Sequence, residues 1–225
     1  MVEKLSIAID GPAGAGKSTV ARLVAERLGY QYINTGAMYR AFALKAQESG
    51  CSLFNPSDIY ALLQTTSIDL KGDQVYLDGV DVSEKIRSST IGALASDVSV
   101  LPEVREQMVL WQRALAKNKG VVMDGRDIGT VVLPDADVKV FLTASLAERT
   151  RRRFEELRAR GFEVKWEDIS SEIAHRDEQD TKRALAPLKK ASDAFVLDST
   201  ELDISDVVNM IVDLCKRRFI SCCTE

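Results

Sequence analysis

A short apolar stretch, Leu5 to Ile9, runs through Asp10 into Gly11-Pro12-Ala13-Gly14-Ala15-Gly16-Lys17-Ser18-Thr19. Gly11 to Ser18 fill every fixed position of the pattern G-x-x-x-x-G-K-[ST]. No other stretch narrows the possible folds as far. Its glycines let the backbone curl so that successive N–H groups face a bound anion. The helix that follows adds the positive end of its dipole at the same place. Lys17 is placed to reach the β- and γ-phosphates of a nucleotide, and Ser18 to offer a hydroxyl to Mg²⁺. The flanks separate this from a chance glycine-rich turn. Leu5, Ile7, Ala8 and Ile9 read as a buried strand, and Val20, Leu23, Val24 and Leu28 recur at helical spacing before a stop at Gly29. The stretch Gly11–Thr19 is therefore predicted to bind a nucleoside triphosphate.

The rest of the chain alternates strands with helices. Tyr30–Asn34 reads as a strand, and Thr35 as the N-cap of a helix carrying Met38, Phe42 and Leu44. Asn55-Pro56 reads as another helix start. The pattern then breaks: Ile68-Asp69-Leu70, Val75-Tyr76-Leu77 and Val80-Asp81-Val82 are separated by Lys71-Gly72-Asp73 and Asp78-Gly79, which are hairpin turns. From Ser83 to about Asn118 helices are expected, broken near Pro102. Strands follow at Gly120–Asp124, Val138–Leu142 and Ala194–Asp198. Ser145 to Glu148 fits a capping box. Gly161 ends that helix, a polar helix runs from about Asp168 to Arg183, and a last helix carries Val207, Val208, Ile211, Leu214 and Cys215. Five short apolar strands between helices imply a parallel sheet covered on both faces. Ligands then bind at the strands' carboxyl ends, here Asp10, Asn34-Thr35, Asp124 to Asp127, Thr143 and Asp198-Ser199.

With 225 residues the chain has room for one α/β domain with insertions. A net charge of −4 makes it a poor partner for nucleic acid as a whole, so any basic cluster is local. No apolar run is long enough to span a membrane and no secretion signal leads the chain, so a cytoplasmic location is expected. Cys51, Cys215, Cys222 and Cys223 lack paired C-x-x-C spacing and read as reduced thiols. A single histidine, His175, argues against a histidine-based metal site or a Ser-His-Asp triad.

Moving a phosphoryl group between two anions needs cations more than a base. Arg40, Arg105, Arg126, Arg149, Arg151, Arg152, Arg153, Arg176 and Arg183 fall at strand ends or in polar helices, and the guanidinium fork suits phosphate. Asp124-Gly125-Arg126-Asp127 closes a buried strand, where a carboxylate needs a partner. Asp124 either holds a Mg²⁺-bound water, orients the phosphate loop, or caps a turn. Arg176, Asp180 and Arg183 share a helical face, which by spacing alone reads as a solvated ion-pair ladder. Arg149 to Arg153 are either a solvated helix face or a lid that closes on ATP.

These residues resemble the bacterial cytidylate (CMP) kinases. The resemblance runs through Ile9–Ser18, Thr35-Gly36-Ala37-Met38-Tyr39-Arg40, Asp124–Val132, Arg176-Asp177-Glu178-Gln179-Asp180, Arg183–Leu188 and Leu197–Thr200. It implies an adenylate-kinase-like, three-layer α/β fold with a parallel five-stranded core, a small antiparallel insert at about 58–100 and a short helical lid at about 148–165. It implies phosphoryl transfer from ATP, with Mg²⁺, to CMP or dCMP, by a protein expected to be a monomer. Carried over by motif, Thr35, Tyr39 and Arg40 line the CMP site, Ser96, Arg105 and Asp127 read the cytosine, and Arg126 holds the CMP phosphate. Arg176 and Asp180 bind phosphate and sugar, and Arg183 completes the pocket, which reverses the ladder reading. Lys17, Arg126 and the lid's Arg153 are the expected catalytic cations. Ser18 is the expected Mg²⁺ contact, although the family also carries glycine or threonine there. Cytosine presents an amino donor beside two acceptors, so a carboxylate with an arginine and a hydroxyl complements it.

The rival readings are a P-loop kinase for UMP, dTMP or shikimate, a GTPase switch, and a mechanical ATPase. A guanine-reading Asn-Lys-x-Asp is missing, since Asn118-Lys119 runs into Gly120-Val121. The aspartate-glutamate pair of a mechanical ATPase is missing too, since Gly125 follows Asp124.

Overall fold

In the computed structural model, which describes residues 4–222 and side chains as far as residue 218, the chain divides into two compact units. One is Met1–Tyr32 with Lys119–Glu225; the other is Ile33–Asn118.

The first unit is built on a five-stranded parallel sheet of β1 (Ser6–Asp10), β2 (Gln31–Asn34), β6 (Val121–Gly125), β7 (Val138–Thr143) and β8 (Phe195–Asp198), in the order β2-β6-β1-β7-β8. Every residue of β1 and β6 is buried, as expected of central strands whose sequences are apolar but for Ser6, Asp10 and Asp124. The register aligns Asp10 with Gly125 and Phe141, and Thr143 with Asp198, so the polar strand ends lie along one edge. One face of the sheet packs on α1 (Lys17–Leu28) and α8 (Ile204–Cys222), through Val20, Val24, Val208, Ile211 and Cys215. At about 25 cal/mol per Å² of apolar surface removed from water, this core is the unit's main stabilising term.

α6 (Leu146–Ala159) and α7 (Trp166–Lys182) pack together beside the sheet. Their small core joins Ile169 and Ile173 to Phe154, Leu157 and Ala13 of the phosphate loop. Ser145 caps α6 by accepting from the Glu148 N–H at 3.3 Å. The return half of the expected capping box is replaced. Ser145 N–H donates to Thr200 Oγ1 at 2.9 Å, and the Glu148 carboxylate turns to Arg151 and Arg152.

The second unit holds α2 (Thr35–Ser49), α3 (Pro56–Gln64), the antiparallel sheet β3 (Ile68–Lys71), β4 (Gln74–Leu77) and β5 (Val80–Asp81), α4 (Ser89–Val98) and α5 (Pro102–Ala116). The β4–β5 turn has φ of 51° at Asp78 and 82° at Gly79, the double left-handed turn that Asp-Gly favours. Thr35 is not the cap of α2. Asn34 is, its side chain accepting from Ala37 N–H at 2.9 Å, so Thr35 enters the helix and is buried. α3 begins as expected, with Asn55 as cap and Pro56 first. The break before α5 falls at residues 99–101, with Pro102 opening the helix.

Among the described residues no helix is long and apolar enough to cross a membrane. Cys51 and Cys215 are unbonded thiols; the Cys222 side chain and all of Cys223 lie outside the described residues.

Candidate active site

The phosphate loop links the end of β1 to the start of α1, and two of its glycines are fixed by close approach. Gly11 has φ 152°, and a Cβ there would stand 1.9 Å from the Leu142 carbonyl oxygen of β7. Gly14 has φ 73°, and its Cβ would meet Arg149 Cβ at 3.1 Å. Only a residue without a side chain satisfies both demands.

Lys17 opens α1, is buried, and donates from Nζ to the Pro12 carbonyl at 2.7 Å across the loop. Burial holds its ammonium well below the ordinary lysine range, and the guanidiniums of Arg126 and Arg176 push it further down. The carboxylates of Asp124 and Asp180 return part of the shift. Ser18 Oγ donates to Asp124 Oδ2 at 2.8 Å, and Tyr32 Oη donates to Asp124 Oδ1 at 2.9 Å. Asp124 therefore orients the phosphate-loop hydroxyl, one of the alternatives its position at the strand end left open. Burial pushes its carboxyl up, and Lys17 and these two hydroxyls pull it back only in part.

The turn after β6 is fastened from β1. Asp10 is buried and accepts from Ile128 N–H at 2.8 Å and Gly129 N–H at 2.7 Å. Arg126 and Asp127 lead into that turn. Arg126 Nε donates to Asp180 Oδ2 at 2.6 Å. Arg183 lies 3.7 Å from Asp180 Oδ1 and 3.4 Å from Asp127 Oδ1, and its Nε donates to the Ala186 carbonyl at 2.6 Å. Burial alone would raise the Asp180 carboxyl, but Arg126, Arg176 and Arg183 together outweigh it and hold it below the usual range. Of the expected residues, Arg126, Arg176 and Asp180 thus act on Lys17, and Arg183 links Asp180 to Asp127.

The arginines of α6 divide their work. Arg149 donates to the carbonyls of Ala144 at 2.9 Å and Ala13 at 2.8 Å and pairs with Asp177. Arg152 donates to Ser199 O at 2.6 Å, to Ser199 Oγ at 3.1 Å and to Ala15 O at 3.4 Å. Arg151 is exposed between Glu148 and Glu155. Arg153, the arginine expected to be catalytic, pairs with Glu156 at 2.9 Å. The arginines that reach the phosphate loop are Arg149 and Arg152.

In the other unit Arg40 donates to the Ile86 carbonyl at 2.8 Å and lies against Gly92, where a Cβ would meet its Nη2 at 3.1 Å. Ser96 Oγ donates to the Gly92 carbonyl at 3.4 Å, so Arg40 and Ser96 both lie beside Gly92 of α4. Arg105, buried, donates to the Ser99 carbonyl at 3.0 Å just past the end of α4. Thr35 is buried at the start of α2, and Tyr39 is half-buried.

Sequence reasoning passed over the roles of Asp177, Tyr32 and Ser199. Asp177 had a visible signal: it falls four residues after Ile173 and eight after Ile169, on the buried stripe of α7, where a carboxylate needs a partner. Ser199 had its place at the carboxyl end of a strand, and Tyr32 had no signal.

A parallel α/β sheet with a phosphate loop after its first strand and arginines converging on the loop lysine defines a P-loop kinase-type protein. Its fold is that of shikimate kinase from Bacteroides thetaiotaomicron, at TM-score 0.51 and 15% identity, over 94% of this chain and 98% of that one. An uncharacterized protein from Eubacterium ventriosum overlays with TM-score 0.53 at 14% identity, over 94% and 98% of the two chains. Sequence comparison is more specific. The family model for cytidylate kinase matches residues 7–217. The cytidylate kinase of Caldicellulosiruptor saccharolyticus is 52% identical over 217 residues, 95% of this chain and 96% of that one. That of Bacillus pumilus is 51% identical over 221 residues, covering 96% and 98%. The chain belongs to the cytidylate kinase family.

Proposed function

We propose that the chain transfers the terminal phosphoryl group of ATP to CMP or dCMP, releasing ADP and CDP or dCDP. The observation that supports this most directly is the cluster of Arg126, Arg176 and Lys17 beside the phosphate loop, in a chain that matches the family over nearly its whole length. The loop amides of residues 11–19 and Lys17 bind the donor's phosphates. Arg126 and Arg176 hold the acceptor phosphate, and Asp180 and Arg183 complete its site. In the 33–118 unit Thr35, Tyr39, Arg40, Ser96 and Arg105 are assigned to the nucleoside, and in the other unit Asp127 is assigned to the base. Insert 58–100 and lid 148–165 are assigned to acceptor and donor respectively.

Ser18 and Asp124 offer oxygen ligands side by side, a donor set suited to Mg²⁺. Among the described residues no cluster of three acidic, histidine or cysteine side chains forms a cation cage, which fits an ion that keeps waters and binds mainly through phosphates. Bound there, Mg²⁺ would offset charge on the donor's phosphates. No side chain serves as a strong base, because the attacking oxygen of a phosphate monoester is already anionic. Lys17, kept in a buried site, and the arginines oppose the charge of the transferring group where water cannot screen it. A cytoplasmic monomer is the expected form.

The test is ADP release from ATP and Mg²⁺ with CMP, dCMP, UMP, AMP, GMP or shikimate offered singly. Fast release with CMP and dCMP alone is the expected result. Release with none would refute the kinase reading, and release with shikimate or UMP alone would refute the acceptor.

A further inference from the structure

Both backbone polar groups of Ala13, in the middle of the phosphate loop, are held by side chains from the α6–α7 pair. Its N–H donates to Asp177 Oδ1 at 2.8 Å, and its carbonyl accepts from Arg149 Nη1 at 2.8 Å. Arg149 and Asp177 pair with each other, which closes a ring around this one residue and the two peptide groups it joins. Arg149 Nε is also fixed, on the Ala144 carbonyl just past β7. The two side chains are 9% and 20% exposed, so the pair is weakly screened. Ala13 packs with Ile169 and Ile173 of α7.

We propose that Asp177, with Arg149 as its counter-ion, is a positioning residue that locks the phosphate loop to α7. This inference rests on the kinase reading above. α7 carries Arg176 beside Asp177, and Asp180 less than one turn further on. Asp180 in turn holds Arg126. The lock therefore joins the loop that binds the donor to the residues assigned to the acceptor phosphate, through one rigid helical turn. In-line transfer is sensitive to errors of about 1 Å, which cost about 100-fold in rate. Loosening the lock should lower turnover while leaving each substrate's separate contacts in place. An ordinary buried ion pair would act differently: its loss would lower thermal stability and leave turnover per folded molecule intact.

The experiment uses the full chain with Asp177→Ala, Asp177→Asn, Arg149→Leu and the Asp177→Ala/Arg149→Leu double variant. It reads kcat, KM for CMP, equilibrium binding of ATP and the unfolding midpoint. Asp177→Ala should lower kcat about 30-fold or more, with KM for CMP and ATP affinity changed by less than about 3-fold. Asp177→Asn keeps an acceptor for Ala13 N–H and loses the ion pair, so it should recover part of that loss. The double variant should be no slower than the slower single variant, because the two residues act as a unit. A lowered midpoint with wild-type kcat per folded molecule would overturn the lock, as would losses that multiply in the double variant. If Asp177→Ala does not fold, Asp177→Asn decides: wild-type kcat in that variant overturns the lock. CMP-independent behaviour of the wild-type chain would refute the kinase reading itself. An active wild type with unaffected variants refutes the lock alone.

Discussion

Asp10→Asn should change how stability depends on pH, and the direction follows from the carboxylate's surroundings. Burial pushes the Asp10 carboxyl up to about 6 from its usual 3.8; the Gly129 and Ile128 amides and Lys17 pull it down only in part, and Asp127 adds to the rise. The folded chain thus holds this proton more tightly than the unfolded chain. The stability linked to it is complete below about pH 4 and is lost as pH climbs through 6. Between pH 5 and 7.5 the loss works out to about 1.4 kcal/mol. For a chain of this length that is about 3–6 °C in unfolding midpoint. Asparagine cannot titrate, so the variant lacks this component. It also places an NH₂ group against one of the two amide donors, a pH-independent cost of about 1–3 kcal/mol. Unfolding midpoints of both proteins, measured at half-unit steps from pH 5 to 7.5, should show wild type losing ground to the variant by that amount. Parallel profiles would refute the reasoning. So would a wild type that gains on the variant as pH rises, since the two amide bonds would then outweigh burial.

Arg126→Ala should cut kcat by about 100- to 1000-fold with ATP binding nearly intact, because its guanidinium is assigned to charge at the acceptor phosphate; unchanged turnover in steady-state assays would remove it from that role. Asp127→Ala should raise the KM for CMP by about 10- to 100-fold, the worth of a hydrogen bond to a charged group, and weaken the preference for CMP over UMP. An unaltered CMP-to-UMP ratio would place Asp127 outside base recognition. Gly11→Ala should lower stability by about 2 kcal/mol or more and abolish activity together, since the added Cβ falls 1.9 Å from the Leu142 carbonyl oxygen. A variant with wild-type midpoint and rate would show that β7 or the loop yields easily.

The strand–loop–helix opening was legible because period and punctuation agree there: an apolar run, three glycines, then a stripe at helical spacing. The hairpins were legible from Lys71-Gly72-Asp73 and Asp78-Gly79, whose turn chemistry is local. The cap of α2 was misjudged by one residue because Asn34 and Thr35 are both good caps, and only the backbone shows that Asn34 stays extended while Thr35 turns. The capping box at Ser145 formed by half for a different reason. Glu148 had two arginines within one turn, and charge pairing won over a backbone N–H that Thr200 could satisfy. The polar strand ends along one edge of the sheet could be read from position. The division of labour among Arg149, Arg151, Arg152 and Arg153 could not, because it depends on which faces of α6 meet the loop and which meet water.

The buried and half-buried carboxylates explain how so many cations gather in an acidic chain. They fall into two sets by what they grip. Asp10 and Asp177 accept backbone N–H groups, from the turn after β6 and from the phosphate loop, and so fix where those segments lie. Asp124, Asp127 and Asp180 face Lys17, Arg126 and Arg183, and so fix where the cations lie. Two of these carboxylates are shifted in opposite directions. Asp10, whose partners are mainly neutral amides, is raised to about 6, whereas Asp180, ringed by three arginines, is held below the usual range although it too is buried. Lys17 stands where the surplus is felt most, since two guanidiniums push on an already buried ammonium. An anion of several charges brought to the loop would relieve that repulsion, and a neutral ligand would not. The arrangement that is costly for the protein alone is thus the one that selects polyphosphate.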